Sequence, residues 1–275
     1  MSYYSPHSGL RQGLRTPLCA LALLATATTQ AASDAESCAA ALGQPLVGEQ
    51  VLLKSPLRVL SWNIQKAGDT DWAGDLRQLS DNIQLAFIQE AAVKANIAGE
   101  IPLPLYQAFA AGYTTDDIET GVLTLSTSSP SLLCNLTAWE PWLGTPKATS
   151  VTEHPMAGHE NRLLAINIHA VNFELSAQEF EAQLNSIATV IAAHTGPVIA
   201  AGDFNTWSED RQDMVDALMA EHGLINTTYE PDLRTRFLDW PLDHIYLRGL
   251  SVQDTEVTAV DSSDHNPLSA TLTWP

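Results

Sequence analysis

The chain has 275 residues, 45% of them apolar, with 15 Gly and 15 Pro. That is enough for one large domain or two small ones around a substantial core, and it excludes collagen, low-complexity disorder and a disulfide-dependent mini-scaffold. Acids outnumber bases 32 to 13 for a formal charge of −19, which argues against broad adhesion to nucleic acid or anionic lipid but leaves room for a small basic patch.

Residues 1–32 differ in composition from the rest. Their only charges are Arg11 and Arg15, followed by an apolar run from Leu18 to Ala27 and small residues through Ala32. A basic region, a short apolar region and a small-residue cleavage site read as a secretory signal cut after Ala31 or Ala32. The chain is therefore expected in the periplasm or outside the cell; if the segment is no signal, it is cytoplasmic. Cleavage removes Cys19 and leaves Cys38 and Cys134. An even count in an exported protein permits one disulfide; two unrelated thiols are the alternative. No later segment has the roughly 18 consecutive apolar residues of a membrane helix, so no integral membrane protein is expected after cleavage.

Residues 33–55 read as an N-terminal arm, and 56–275 as the folded domain. Arg58 to Trp62 predicts a buried strand, Trp72 to Ile83 an amphipathic helix, and Leu85 to Ile88 another strand. Strand-like stretches follow at Tyr106–Ala111, Gly121–Ser126, Leu132–Ala138, Ala148–Thr152 and Arg162–Ile168. The clearest helix spans Ala177 to His194, with Phe180, Leu184, Ile187 and Ile191 at helical spacing and Gly196-Pro197 as a stop. Ser176 with Glu179 predicts its capping box. A buried strand at Val198–Ala201, a helix near Arg211–His222 and strands at Leu242–Leu247, Ser251–Ala259 and Leu268–Thr273 close the chain. Strands outnumber helices and many are consecutive. That predicts an α/β fold of two mixed sheets packed face to face with helices outside, rather than a strictly alternating parallel sheet.

The chemistry gathers where strands end. Asn63 follows RVLSW, Glu90 follows LAFIQ, Asp203 and Asn205 follow VIAAG, His169 ends LLAINI, Asp243 begins DHIYL, and Asp264-His265 precede the last strand. Binding residues are commonly carried on such strand ends and the adjoining loops. Clustered carboxylates need a compensating cation. Asn63, Glu90, Asp203, Asn205 and Asp264 offer oxygen, which suits a hard ion such as Mg²⁺.

The segments SWNIQ (61–65), IQE (88–90), GVLTLS (121–126), NIH (167–169), GDFN (202–205), LDHI (242–245) and SDHNP (263–267) occur in one order. Together they resemble the endonuclease/exonuclease/phosphatase superfamily over roughly Leu57 to Trp274. The strings NIHAVNF, TGPVIAAGDFNTWS and PLDHIYLRGL look like its uncharacterised bacterial YafD-like branch. The resemblance implies a DNase I-like four-layer α/β/β/α sandwich and Mg²⁺- or Mn²⁺-dependent hydrolysis of a phosphodiester bond. By position, it implies Glu90, Asn63 and Asp264 on the metal side. It implies His265 beside the scissile phosphate as base or phosphate ligand, oriented by Asp243. Asp203 and Asn205 would place the attacking water and a phosphate oxygen. His169 would be a phosphate ligand or general acid, and Lys147 either a cation holding the phosphate or a surface lysine. AP endonucleases lack a histidine at the position of His169, which sets this chain nearer the DNase I, sphingomyelinase and phosphatase side.

Arg162, Arg236 and Arg248 read as surface charges or packing stems. Trp62 reads as core, and Trp207 either as core or as cleft lining. No exposed aromatic hairpin is evident. The expected substrate is a nucleic acid or a small or lipid phosphodiester. No stable protein partner is implied. The competing reading from another class is a noncatalytic binding protein on the same fold.

Overall fold

The computed structural model describes residues 34–46, 48–141, 143–174 and 176–274 besides Met1. The predicted export signal otherwise lies outside the described residues. The first elements are α1 (Ala35–Ala40), β1 (Leu57–Asn63), α2 (Trp72–Leu79), β2 (Leu85–Ala92), β3 (Tyr106–Thr114), β4 (Glu119–Ser126), β5 (Leu132–Trp139), β6 (Pro146–His154) and β7 (Leu163–His169). Then follow α3 (Gln178–Ala193), β8 (Val198–Asp203), α4 (Glu209–Glu221), β9 (Ile225–Asn226), β10 (Arg236–Phe237), β11 (Trp240–Pro241), β12 (Asp243–Arg248), β13 (Ser251–Val257) and β14 (Leu268–Thr273).

Two mixed six-stranded sheets result, ordered β13-β14-β1-β2-β4-β3 and β5-β6-β7-β8-β12-β9. Side chains alternate between faces along a strand. Thus Leu57, Val59, Leu85 and Phe87 of one sheet meet Leu163, Ala165, Ile199, Ala201 and Ile245 of the other in one buried cluster. The opposite face of the first sheet, with Leu60, Trp62, Ala86 and Ile88, packs on Leu76 of α2. The opposite face of the second, with Leu164, Ile166, Val198 and Ala200, packs on Phe180, Leu184, Ile187 and Ile191 of α3 and Val215 and Met219 of α4. These are the four layers, α/β/β/α. Among the described residues no helix is long and apolar enough to cross a membrane.

One local expectation is corrected. Ser176 and Glu179 do not cap α3. Glu174 does so from further out: its carboxylate oxygens accept the amide N–H groups of Glu179 (2.9 Å) and Phe180 (3.0 Å), while Ala177 adopts a left-handed φ of 54°. A pair of first-turn donors is satisfied either way, and the long reach of Glu174 hides it from a fixed spacing rule. The described residues of the N-terminal arm also make contacts with the domain. Asp34 caps α1 by accepting Ser37 N–H at 2.8 Å. Cys38 of α1 is buried and disulfide-bonded to Cys134 of β5 across 96 residues, and Leu53 bridges to Met156.

Candidate active site

The inward positions of the central strands change character along their length. On β1 they run Leu57, Val59, Ser61, Asn63; on β2, Leu85, Phe87, Gln89; on β7, Leu163, Ala165, Asn167, His169; on β8, Ile199, Ala201, Asp203. One end of the inter-sheet space is apolar and the other polar. Buried amides hold the transition: Gln89 Nε2 donates to Asn167 Oδ1 at 2.7 Å, and Asn167 Nδ2 donates to Thr124 Oγ1 at 3.2 Å.

Strand register builds the polar end. β7 runs parallel to β8 and β12 antiparallel to it, so His169 and Asp243 are both cross-strand partners of Asp203. On the other sheet Asn63 pairs with Gln89, which sets Glu90 one residue beyond. Glu90 has a φ of 49° beside an irregularity in the β2–β4 ladder. Asn205 has a φ of 51°. Left-handed backbone at non-glycine residues costs energy and clusters at functional sites. Gly202 has a φ of 141°, and a Cβ there would collide with the backbone oxygen of Ile168, so the residue before Asp203 must be glycine.

Asp203 is the hub. It is buried, and Asn63 Nδ2 donates to its Oδ2 at 3.1 Å while Asn205 N–H donates to its Oδ1 at 2.9 Å. His169 Nε2 lies 3.6 Å and His265 Nε2 4.0 Å from the same Oδ2. His265 Nδ1 is 2.7 Å from Asp243 Oδ2. Its backbone is pinned as well: Trp62 Nε1 donates to His265 O at 3.0 Å, so the core tryptophan also positions the histidine. Burial opposes a charged His265 ring, but Asp243 and Asp203, with a contribution from Asp264, outweigh it and raise the pKa. Burial raises the pKa of Asp203, against the pull of His265. His169 is driven the other way, well below the usual range, by burial first and then by Lys147, His265 and Lys66.

Lys147 Nζ stands 2.8 Å from His169 Nε2 and 3.7 Å from Glu140. An ammonium only donates, so the ring nitrogen accepts and His169 is neutral. Glu90 Oε1 lies 4.0 Å from His169 Nε2, and Glu90 Oε2 lies 3.2 Å from Lys66 Nζ. Lys66, Glu90, Lys147 and His169 line a cleft of about 400 Å³. The chain has only four lysines, and two of them face this cleft. Asn63, Glu90, His169, Asp203, Asn205, Asp243, His265 and Lys147 are thus brought together by direct contacts. Asp264 is different: its side chain is exposed and acts on His265 through space. Arg162 pairs with Glu153, Arg236 with Asp232, and Arg248 binds the backbone oxygens of Gly196 and His222.

Sequence reasoning missed two residues. Lys66 reaches Glu90 because Gln65, Lys66 and Ala67 all take positive φ, a conformation with no motif behind it. Arg211 is buried; it donates to Asn205 O at 2.8 Å and to Val171 O, and pairs with Glu174 at 3.5 Å. It fixes the loop carrying Asn205. Its place in the first turn of α4 resembled an ordinary helix residue.

Two donor sets stand out for a cation. Asp203, Asp243 and His265 place one ligand atom each within 4.8 Å of one another. There the close His265–Asp243 pair favours a held proton over a free imidazole lone pair. On the other side Glu90 and Asn63 offer only oxygen, the donor type of a hard divalent ion. The Lys66 ammonium against Glu90 shows that this carboxylate already takes a cation.

The family model of the Endonuclease/Exonuclease/phosphatase family matches residues 60–265. The chain belongs to this family, whose members include phosphoesterases and nucleases acting on phosphodiester bonds. Within it the curated relatives are UPF0294 (YafD-like) proteins. One from Vibrio vulnificus strain YJ016 is 39% identical over 229 residues, covering 80% of this chain and 78% of its own. In structure the chain resembles an endonuclease/exonuclease/phosphatase family protein from Leptotrichia buccalis, with TM-score 0.61 and 12% identity over 79% of this chain and 100% of that one. It also resembles the human Nocturnin catalytic domain with bound sulfate anion, with TM-score 0.58 and 16% identity over 82% and 97%.

Proposed function

We propose that this chain is a divalent-metal-dependent phosphodiesterase, acting in the periplasm or outside the cell on a small phosphodiester. The carrying observation is His265 set between Asp243 at 2.7 Å and Asp203 at 4.0 Å, beside a cleft that gathers Lys66 and Lys147 in a chain of charge −19. Cations concentrated in one place on an acidic protein favour an anionic substrate there. A long polynucleotide would need further basic residues along its backbone, and the arginines Arg162, Arg236 and Arg248 are spent on internal partners. The human Nocturnin catalytic domain, a structural neighbour, was solved with a bound sulfate anion. The disulfide Cys38–Cys134 supports an oxidising compartment.

Glu90, Asn63 and Asp264 would hold Mg²⁺ or Mn²⁺, which when bound neutralises charge on the phosphate and the leaving oxygen. The chain's own groups do the rest. Asp243 fixes the tautomer and orientation of His265. His265, charged between two aspartates, donates to a phosphate oxygen. Asp203, with Asn205 beside it, accepts a hydrogen from the attacking water and sets its direction. Lys147, positioned by neutral His169, holds the phosphate from the cleft side.

The test is hydrolysis of bis(p-nitrophenyl) phosphate by the chain beginning at Ser33, with Mn²⁺, Mg²⁺ or EDTA, beside His265→Ala and Glu90→Ala. Metal-dependent turnover falling at least about 100-fold in both variants is expected. Turnover indifferent to EDTA, or retained in His265→Ala, overturns the reading. If the wild type is inert on every diester while calorimetry shows Mn²⁺ bound, the chain is a binding protein on this fold.

A further inference from the structure

A second cleft lies on the other side of Asn205. It measures about 390 Å³ and is lined by Phe173, Trp207, Phe237 and Leu242, with Asn172, Asn205 and Glu174, the last paired with Arg211, completing its walls. Phe173 and Phe237 are 55% and 54% exposed, so neither is held in a core. Concave apolar surface with a few polar groups is how small-molecule sites are built.

The walls are fixed in place. The ring centroids of Trp207 and Phe237 are 6.5 Å apart in an edge-on arrangement. The Arg211 guanidinium lies 5.1 Å from the Trp207 ring centre and 3.6 Å from that of Phe180. The same arginine binds Asn205 O and Val171 O. It therefore ties the aromatic wall to the two segments that leave β7 and β8, which carry His169 and Asp203. Phe237 comes from a small hairpin, β10–β11, that sequence reasoning did not see.

We propose that this cleft is a subsite for a planar aromatic ring borne by the phosphoester, a nucleobase in the simplest case. The inference rests on the phosphodiesterase reading for its placement. It goes beyond that reading by naming what the substrate carries. A phosphate held at His265, with its attacking water at Asp203, has Asn205 as its neighbour, and the cleft begins at Asn205. Aromatic walls stack on ring faces irrespective of sequence. The Asn172 amide offers a donor and an acceptor to a base edge, while the Asn205 side-chain amide N–H is taken by Ala170 O at 3.0 Å. A lipid surface fits less well. The one aliphatic at the hairpin tip, Leu238, stands between Arg236–Asp232 and Asp239, and the chain's charge of −19 repels anionic bilayers.

The test is calorimetry of the chain from Ser33 in EDTA, where binding is read without turnover. The probes are AMP, phenyl phosphate, ribose 5-phosphate and inorganic phosphate. AMP is expected to bind at least about tenfold more tightly than ribose 5-phosphate. Phe237→Ala and Phe173→Ala, both surface changes, should bring that ratio to within about threefold. Phenyl phosphate tracking AMP assigns the preference to the ring face, and tracking ribose 5-phosphate assigns it to the base edges. Equal binding of AMP and ribose 5-phosphate, or a ratio unchanged in both variants, overturns the subsite. So does flotation with phosphatidylcholine vesicles that is lost in Phe237→Ala. If the chain proves to hydrolyse nothing, the binding ratio still decides this inference; if it hydrolyses diesters without ring preference, only this inference falls.

Discussion

The two ends of the inter-sheet space use the same strands for opposite purposes. At one end Val59, Phe87, Ala165 and Ile199 exclude water. Three to four residues further along, Asn63, Glu90, His169 and Asp203 crowd charge and hydrogen-bonding groups into a barely accessible edge. The apolar end gains free energy by burial. The polar end gives some back, because a buried carboxylate is costly unless it is paired. Stability and chemistry are therefore separable along each strand, at a resolution of one side-chain pair.

The comparison breaks most sharply at Asp243. Asp243→Asn keeps the shape and removes the charge that orients His265. Turnover of the diester is expected to fall about 10²- to 10⁴-fold. The melting temperature should change little, since relief of one of two buried aspartates facing each other across β8 and β12 offsets the loss of the His265 pairing. A melting temperature that drops while turnover survives would show that this end is structural after all.

At the apolar end Phe87→Ala should do the reverse. Phe87 is fully buried between the sheets. Its truncation is expected to cost about 3–5 kcal/mol in urea unfolding, with kcat per folded molecule unchanged. The disulfide belongs to the same stabilising side. Cys38→Ser with Cys134→Ser frees a 96-residue loop and is expected to cost about 2–4 kcal/mol, again without loss of turnover.

Much of this division was legible in the sequence. The motifs at strand ends carried the site: GDFN required a glycine where β8 touches β7, and SDHNP supplied His265. The short apolar runs in RVLSW and LAFIQ marked the strands. What stayed hidden depends on register or on long reach. Nothing local says that His169 and Asp243 both face Asp203; that follows from which strands pair. Glu174 caps α3 from beyond the usual spacing, and Lys66 reaches Glu90 through three consecutive left-handed residues. Arg211 and Trp62 each combine packing with a hydrogen bond to the site, so a packing role is all their sequence positions suggest. The β10–β11 hairpin is two residues on each side, too short for a periodic signal.

The smallest expected effect concerns the one histidine that breaks the pattern. His154 sits at the end of β6, paired in register with Leu163 at the apolar end, and is fully buried. Its Nε2 is 2.9 Å from Thr152 Oγ1 and its Nδ1 3.5 Å from Ser126 Oγ. Burial pushes its pKa down to about 4, with a backbone hydrogen bond at Ser128 opposing. The folded chain thus keeps the ring neutral where the unfolded chain, near 6.5, takes a proton. Above pH 6.5 neither state is protonated and the histidine costs nothing. As pH falls from 6.5 to 4 the unfolded state binds more protons, so stability is lost across that window and levels off below it. The full loss is on the order of 2–3 kcal/mol at pH 4, and a fraction of that at pH 5.5. Urea unfolding of His154→Gln at pH 7, 5.5 and 4 should show this slope reduced relative to wild type. An unchanged slope would place the acid sensitivity at the other buried histidines whose pKa burial lowers, His244 and His169, instead.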